Sequence, residues 1–145
     1  MRRVLPILLA AVVLAGCGGD DPPSAEAEVR DVLKTFAGSI EKRDYQVLCD
    51  DVFAPVLLEG LASIGLPCEV AMRNSLGTVA KPTLTVGTVR ISKDTAEAEI
   101  KTSAEGQEPS ADTIKLVRLK GKWKVSALGE PSAESSPTAT PTPTP

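Results

Sequence analysis

The sequence predicts an α+β domain in which N-terminal helices pack on a bent antiparallel sheet of about four strands. Two patterns in the sequence indicate this order. Before residue 77, apolar residues recur at spacings of three and four, which is typical of helices. After Pro82 they alternate with polar residues, which is typical of half-buried strands. Helices followed by strands that join in short turns favour an α+β fold.

The first sixteen residues have the pattern of an export signal. Arg2 and Arg3 precede an apolar stretch over residues 4–14, and eleven residues are too few to cross a hydrocarbon layer of about 30 Å. The tetrapeptide LAGC ends this segment at Cys17 and resembles the lipobox of bacterial lipoproteins. The resemblance implies cleavage after residue 16 and a diacylglycerol on the Cys17 thiol. An uncleaved anchor or a plain signal peptide is the alternative, and a twin-arginine signal is the weaker interpretation of the two arginines.

This interpretation divides the chain into four parts. Residues 1–16 are the lipoprotein signal peptide, 17–23 the lipidated tether, 24–130 the folded domain and 131–145 a disordered tail rich in Pro, Thr and Ser. Two acyl chains hold a protein on a membrane stably, whereas one holds it marginally. We therefore expect a domain anchored on the extracytoplasmic side of the cell membrane. Residues 18–23 reach about 20 Å when extended, so the domain stays near the surface.

Four helices are expected in the first half of the domain. The first covers about residues 25–42, begins at an N-cap on Ser24 and carries one apolar stripe. Asp44 caps a short second helix, and residues 56–64 and 68–76 form the third and fourth. The stripe of the first helix consists of Val29, Val32, Leu33, Phe36, Ala37 and Ile40. An apolar stripe on one side predicts that this helix lies on a neighbouring layer.

The first two strands are expected after Pro82. The apolar phase changes at Gly87, which predicts a bulge that bends the first strand. In the second strand Ala96, Ala98 and Ile100 alternate with charged residues. The alanines are expected to face inward, so the carboxylates of Glu97 and Glu99 are expected to face solvent.

The last two strands are expected to form a hairpin. Residues 106–110 are predicted to be a loop. Residues 113–120 and 122–128 then form the hairpin around Gly121, with Trp123 on its buried face. The sheet is therefore expected to be a meander in which each strand pairs with the next.

Cys49 and Cys68 remain once Cys17 is assigned to lipid. Exported chains occupy an oxidising compartment, where an even number of cysteines usually forms disulfides. Closing a loop of this 19-residue separation stabilises a domain by about 3 kcal/mol. We therefore predict a disulfide between them, with a pair of buried free thiols as the alternative. The chain has no histidine and no further thiolate, so we expect no metal site and no cofactor.

The charge and the aromatic content argue against nucleic acid as a partner. The full chain has 16 basic and 19 acidic residues, and loss of Arg2 and Arg3 changes its net charge from −3 to −5. Nucleic-acid binding depends on neutralising phosphates, which an acidic domain does poorly. The aromatic residues, too few for a stacking platform, are Phe36, Tyr45, Phe53 and Trp123.

Several weak motifs occur in an order that resembles a known superfamily. They are the first helix with Phe36, DYQVLC at 44–49, PCEVA at 67–71, DTAEA at 94–98, and IKLVRL with GKWKV across 114–125. Over residues 25–129 the chain resembles the nuclear transport factor two-like, or SnoaL-like, proteins, and more narrowly small secreted actinobacterial lipoproteins of that superfamily. The resemblance implies helices closing over a strongly bent sheet to form a cone. Dimerisation through the sheet face is common there, so a homodimer is one implied assembly.

The resemblance also raises the question of catalysis. Catalytic members use an Asp or His base in the cone, often with a Tyr or a protonated Asp as oxyanion donor. This chain has no histidine, and its one tyrosine, Tyr45, falls in the helical layer. Asp112, near the third strand, is the best candidate base, but we interpret it as a solvated carboxylate at a strand end.

We therefore expect a non-catalytic binding or interaction module at the cell envelope. Its partner would be a small apolar ligand or an envelope protein. The alternative is a degenerate enzyme that acts on a small apolar substrate through a single carboxylate. Native protein that carries a copurified lipid or partner favours the first hypothesis, and turnover that is lost in Asp112→Asn favours the second.

Basic residues are concentrated in the last hairpin of an otherwise acidic chain. They are Lys115, Arg118, Lys120, Lys122 and Lys124. Each basic residue near an anionic surface adds about 1 kcal/mol of binding, so one hypothesis is contact with anionic headgroups or wall polymers. The interpretation we favour is a solvated edge strand whose charges block aggregation.

Overall fold

The computed structural model of the protein describes residues 23–131. The expectations for the signal peptide, for Cys17 and for residues 132–145 of the tail fall outside the described residues and stay predictions. Pro131, predicted as the first residue of the disordered tail, instead belongs to the last strand. Within this range the chain forms helices first and strands afterwards, as the sequence predicts.

The helical layer follows the predicted order closely. It comprises α1 (Ala25–Lys42), α2 (Tyr45–Val47), a π-helical turn (Leu48–Val52), α3 (Pro55–Ser63) and α4 (Cys68–Leu76). Among residues 23–131 no single helix is long and apolar enough to cross a membrane. Among the described helices, only α3 and α4 taken together have the length and apolar composition of a membrane span, and they bend by 84° at the break between them.

α1 begins at its predicted cap and buries its predicted stripe. The Ser24 hydroxyl accepts a hydrogen bond of 3.2 Å from the backbone N–H of Ala27. Val29 and Leu33 are fully buried, and Phe36 is 6% exposed. α1 therefore packs its apolar side onto the sheet, which contributes most of the stability of such an amphipathic helix.

The predicted second helix is shorter than expected and continues as the π-helical turn. The Asp44 carboxylate caps α2 by accepting a hydrogen bond of 3.3 Å from the N–H of Val47. In the π-helical turn, Cys49 forms a disulfide with Cys68, the first residue of α4. The predicted pairing is confirmed, and the bond ties α4 to a segment that lies 19 residues earlier.

The strands form the expected four-stranded antiparallel meander. They are β1 (Thr83–Ser92), β2 (Thr95–Ser103), β3 (Ser110–Leu119) and β4 (Lys122–Pro131), in the order β1-β2-β3-β4. At the turn between β3 and β4, Lys120 and Gly121 both have positive φ, 49° and 78°. Two such residues suit the tight turns that match the twist of paired strands.

The predicted bulge in β1 is present and keeps its apolar residues on one face. Val86 pairs with Ile100 and Val89 with Ala98, so β1 has one extra residue between these pairs. The extra residue compensates for the change of alternation in the sequence, so that Val86 and Val89 both lie on the concave face. The Arg30 guanidinium of α1 donates hydrogen bonds to the bulge carbonyls of Val86 and Gly87, at 3.3 and 2.9 Å.

β3 and β4 are longer than predicted. β3 begins at Ser110 rather than near residue 113, and β4 continues to Pro131 rather than ending near residue 128. The cause is pairing with the neighbouring strand, because Ser110 lies opposite Thr102 of β2. The expected loop at 106–110 therefore ends before Ser110, and Asp112 lies inside a strand.

The core lies between the helical layer and the concave face of the sheet. The strand residues that fill it include Ala98 and Val125, both fully buried. Phe36 and Phe53 meet there with ring centres 6.2 Å apart. At the outer edge of β4, the N–H of Ala54 donates a hydrogen bond of 2.7 Å to the carbonyl of Val125. The helical layer therefore pairs with part of this edge strand.

Candidate ligand cavity

A cavity of about 350 Å³ lies between α1, α4 and the concave face of the sheet. It is found at the end of the sheet where β1 and β3 begin and β2 ends. Its apolar wall is formed by Phe36, Ile40, Met72, Leu76, Leu84, Ile100 and Ile114. Ligand sites typically measure about 300–1,000 Å³ and combine an apolar wall with a few polar groups. This cavity is at the small end of that range.

Three polar side chains on the cavity wall form a continuous hydrogen-bonded chain. The Ser110 hydroxyl donates to the Asp112 carboxylate at 2.8 Å. The hydroxyls of Thr102 and Ser110 are also 2.8 Å apart. Since a hydroxyl has one proton and that of Ser110 is directed to the carboxylate, Thr102 is the donor in this second bond. The chain Thr102–Ser110–Asp112 therefore orients the carboxylate at the border between the apolar wall and the polar rim.

The alternation of β3 explains why Asp112 faces the cavity. Successive side chains in a strand point to opposite faces, so Asp112 shares a face with Ile114 and Leu116, which are each 1% exposed. Its partner across the sheet is Ile100, another wall residue. Asp112 is thus half-buried on the cavity wall. The structure places Asp112 inside β3 and not at the strand end where we predicted it, because β3 starts earlier than predicted.

The loop between β2 and β3 forms the rim of the cavity. Gln107 and Glu108 lie in this loop, are exposed and contact the cavity. Beside them, the hydroxyls of Thr83 and Ser103 are joined by a hydrogen bond of 2.7 Å between β1 and β2. The rim is therefore polar and open to solvent, whereas the wall beneath it is apolar.

The other polar residues considered from the sequence lie away from the cavity. Tyr45 is buried in the helical layer, and its hydroxyl has no hydrogen-bond partner among the described residues. Glu97 and Glu99 lie on the convex face, as predicted, and Glu99 forms an ion pair of 2.8 Å with Arg90. The hydrogen bond from Arg90 lowers the pKa of Glu99 below its ordinary value of 4.5, and a hydrogen bond from Thr88 lowers it further.

The metal-ligating side chains of the described residues are dispersed. Between residues 23 and 131, no group of three or more His, Cys, Asp or Glu side chains is arranged to hold a metal ion. The two described cysteines are joined in the disulfide. What the cavity offers chemically is an apolar volume with one oriented hydrogen-bond acceptor.

The basic hairpin is partly committed to internal contacts. Arg118 pairs with Glu28 of α1 at 3.4 Å, and its guanidinium lies 5.9 Å from the ring centre of Trp123. The indole N–H of Trp123 donates to the same carboxylate at 3.1 Å. Glu28 therefore holds the start of α1 against the last hairpin.

Lys124 makes a second link between the layers. Its ammonium group donates to the carbonyl oxygens of Asp50 and Asp51, at 3.1 and 2.7 Å. The favoured interpretation of the five basic residues as a solvated edge strand is therefore wrong for Lys124 and for Arg118. It is also wrong for the position of Lys115, because Lys115 and Arg118 lie on β3, an inner strand of the sheet. The sequence gives no local signal for the contacts of Lys124, because their partners lie more than 70 residues away.

Solved structures of other proteins resemble this fold. The Kfla4162 protein of Kribbella flavida matches with a TM-score of 0.51 and 18% identity, over 70% of this chain and 85% of that one. An NTF2-like protein of unknown function from Shewanella baltica OS155 matches with a TM-score of 0.51 and 17% identity, over 68% and 86%. No protein-family model and no curated protein sequence matches the chain. At these identities the likeness shows the fold alone, and this protein has an NTF2-like α+β fold.

Proposed function

We propose that this protein is a lipid-anchored extracytoplasmic binding module whose cavity holds a small, mostly apolar molecule. The observation that carries the proposal is the apolar cavity with the oriented carboxylate of Asp112 on its wall. A carboxylate accepts hydrogen bonds, so it selects a ligand with an N–H or O–H group. Because the cavity is small, a compact ring system with one such group fits it better than a long acyl chain.

The anchoring part of the proposal comes from the first residues of the sequence. The LAGC motif before residue 18 supports lipidation of Cys17. The Cys49–Cys68 disulfide supports an extracytoplasmic location, because disulfides persist mainly in oxidising compartments. Intact-mass measurement of the protein from its native host tests this part. An unprocessed leader, or a residue 17 without lipid, would contradict it.

A binding role without catalysis is the simpler interpretation of the cavity. The chain has no histidine, and its tyrosine is not among the residues that line the cavity. The other titratable side chain that lines the cavity, Glu108, is exposed on its rim, so the cavity offers no histidine or tyrosine as the second acid or base that proton-transfer chemistry commonly uses. An envelope protein and a second copy of this chain remain further candidate partners, which sedimentation of the native protein would detect.

A second candidate function is a degenerate enzyme that uses Asp112 alone. The position of this carboxylate on the cavity wall favours it, since a general base must reach its substrate. Such an enzyme would lose its turnover in Asp112→Asn, whereas a pure binding module would show none to lose.

Binding of a fluorescent probe tests the cavity directly. 1-Aminoanthracene combines three apolar rings with one N–H donor, and its emission rises in an apolar site. Leu84→Trp places a larger side chain on the cavity wall, whereas Thr85→Trp places the same side chain on the opposite face of β1. We expect affinity to fall at least tenfold in Leu84→Trp and to stay unchanged in Thr85→Trp. Equal affinities in both variants, or no binding by the unsubstituted chain, would contradict the proposal.

A further inference from the structure

The domain has two ends with different features. The first, called here the turn end, comprises the turns at residues 93–94 and 120–121 together with Lys122, the first residue of β4. The second, called the mouth end, comprises the loop at residues 104–109 that forms the cavity rim. In an antiparallel meander of four strands, these turns and this loop lie at opposite ends of the sheet.

α1 connects the two ends. Near its start, Glu28 contacts Trp123, which lies next to the β3–β4 turn. Farther along, Phe36 and Ile40 line the cavity together with Leu84 near the start of β1. α1 therefore runs from the turn end toward the mouth end. Its 18 residues span about 27 Å at 1.5 Å per residue.

The chain enters the domain at the turn end. Ser24 caps α1, so the tether from Cys17 arrives beside the β3–β4 turn. The chain advances seven residues from Cys17 to Ser24 and spans at most about 25 Å even when fully extended. This reach is shorter than α1. The mouth end therefore cannot rest on a membrane to which Cys17 is anchored while the turn end points away from it.

The charges at the turn end are mixed. Lys93, Lys120 and Lys122 are exposed there. So are Asp94 in the first turn and the carboxylates of Asp31 and Asp51, which line a surface pocket together with Lys122. Each basic residue adds about 1 kcal/mol near an anionic membrane surface. At the mouth end Glu108 is exposed on the cavity rim. The carboxylates near the lysines of the turn end offset this attraction, so the orientation depends on the reach of the tether and not on charge.

We propose that the turn end faces the membrane and that the cavity opens away from the bilayer, so that it takes its ligand from the aqueous phase. This inference rests on the proposed function, since it assumes the lipid on Cys17 and a ligand in the cavity. A membrane lipid would have to leave the bilayer and travel the length of α1 to reach the rim. The ligand class is therefore a water-soluble small molecule with an apolar ring or branched chain.

The orientation is measured on the lipidated full chain in vesicles. The vesicles contain phosphatidylcholine and phosphatidylglycerol, with a nitroxide quencher on some headgroups. An environment-sensitive fluorophore is attached at Lys122→Cys for the turn end and, in a matched variant, at Glu108→Cys for the mouth end. Both positions are exposed. The remaining described thiols are joined in the disulfide and do not react.

We expect the label at position 122 to be quenched several-fold more strongly than the label at position 108. Equal quenching, or stronger quenching at 108, would overturn the proposed orientation. The measurement uses no ligand, so its failure leaves 1-aminoanthracene binding by the cavity intact. Protein that does not associate with the vesicles at all would instead contradict the anchor, and with it both proposals.

Discussion

The Ser110 hydroxyl donates a hydrogen bond of 2.8 Å to the Asp112 carboxylate, two residues further along the same face of β3. Residues two apart in a strand point to one side, so the strand itself brings these groups together. Thr102 extends the chain from β2, where it lies directly opposite Ser110. The carboxylate is therefore held by two strands at the place where the apolar wall meets the polar rim.

The Asp112 carboxylate should strengthen the binding of ligands that carry a hydrogen-bond donor. It should have little effect on the binding of apolar molecules without one. In Asp112→Asn we expect affinity for 1-aminoanthracene to fall roughly two- to tenfold, because a net hydrogen bond contributes about 0.5–1.5 kcal/mol. Affinity for 1-methylanthracene, which has the same shape without a donor, should not change. Fluorescence titration measures both.

The matched control for this prediction is Glu108→Gln. It makes the same chemical change at the exposed rim of the cavity and should leave both affinities nearly unaltered. If Asp112→Asn lowers the affinity for both probes equally, the carboxylate affects the shape of the cavity and does not act as a hydrogen-bond acceptor for the ligand.

Glu28 should stabilise the domain more than its neighbour on α1, Glu26. Glu28→Ala leaves the buried indole N–H of Trp123 without its acceptor and Arg118 without its ion pair. Leaving a buried donor unsatisfied costs about 1–3 kcal/mol. Urea unfolding, followed by the emission of the one tryptophan, measures the change.

Glu26→Ala is the control for that measurement. It also removes a carboxylate from the first turn of α1, but its partner is the half-exposed Arg30, 2.9 Å away. An exposed pair of this spacing contributes about 0.3–0.5 kcal/mol. Equal destabilisation by the two variants would show that Glu28 contributes only through the charge at the helix start.

The disulfide should contribute about 3 kcal/mol to the free energy of unfolding, as the chain-entropy model gives for a loop of this size. A reductant should lower the urea midpoint of the native chain. The double variant Cys49→Ala/Cys68→Ala should have the low midpoint already and should not respond to the reductant. A native chain that keeps its midpoint under full reduction would contradict the assigned role of the bond.

Much of the fold follows from signals that lie within a few residues of each other. The cap at Ser24, the boundaries of α4 and the bulge at Gly87 are each marked by a local pattern of apolar spacing and turn residues. The pairing of Cys49 with Cys68 needs only the count of cysteines and the predicted export signal. The sequence therefore predicts the order and type of the elements well.

The candidate site was harder to predict because it depends on pairing between strands. Ser110 and Asp112 are polar and follow a glycine-containing loop, so local pattern alone places Ser110 in the loop and Asp112 outside the predicted strand. Their inward orientation becomes visible only when the alternation of Ile114 and Leu116 is continued two and four residues backward. Contacts such as that of Lys124 with Asp50 join residues that are 74 positions apart, so no local pattern in the sequence predicts them.

The ion pair of Arg90 with Glu99 should make stability depend on pH in a defined direction. The hydrogen bond from Arg90 lowers the pKa of Glu99 in the folded chain below its ordinary value of 4.5. A lowered carboxyl pKa means that the unfolded chain binds a proton more readily than the folded one. The stabilisation is therefore fully present above about pH 4.5 and is lost as the pH falls through the lowered pKa.

Arg90→Met tests this dependence by removing the hydrogen bond that contributes most to the shift. We expect carbon-detected NMR titration to show the midpoint of the Glu99 carboxyl moving up toward its ordinary value. The variant should be slightly less stable than the native chain at pH 7, and the difference should shrink at acid pH. Arg73→Met, which removes an exposed guanidinium from α4, should leave the Glu99 titration unchanged. A Glu99 midpoint that stays low in Arg90→Met would assign the shift to Thr88 instead.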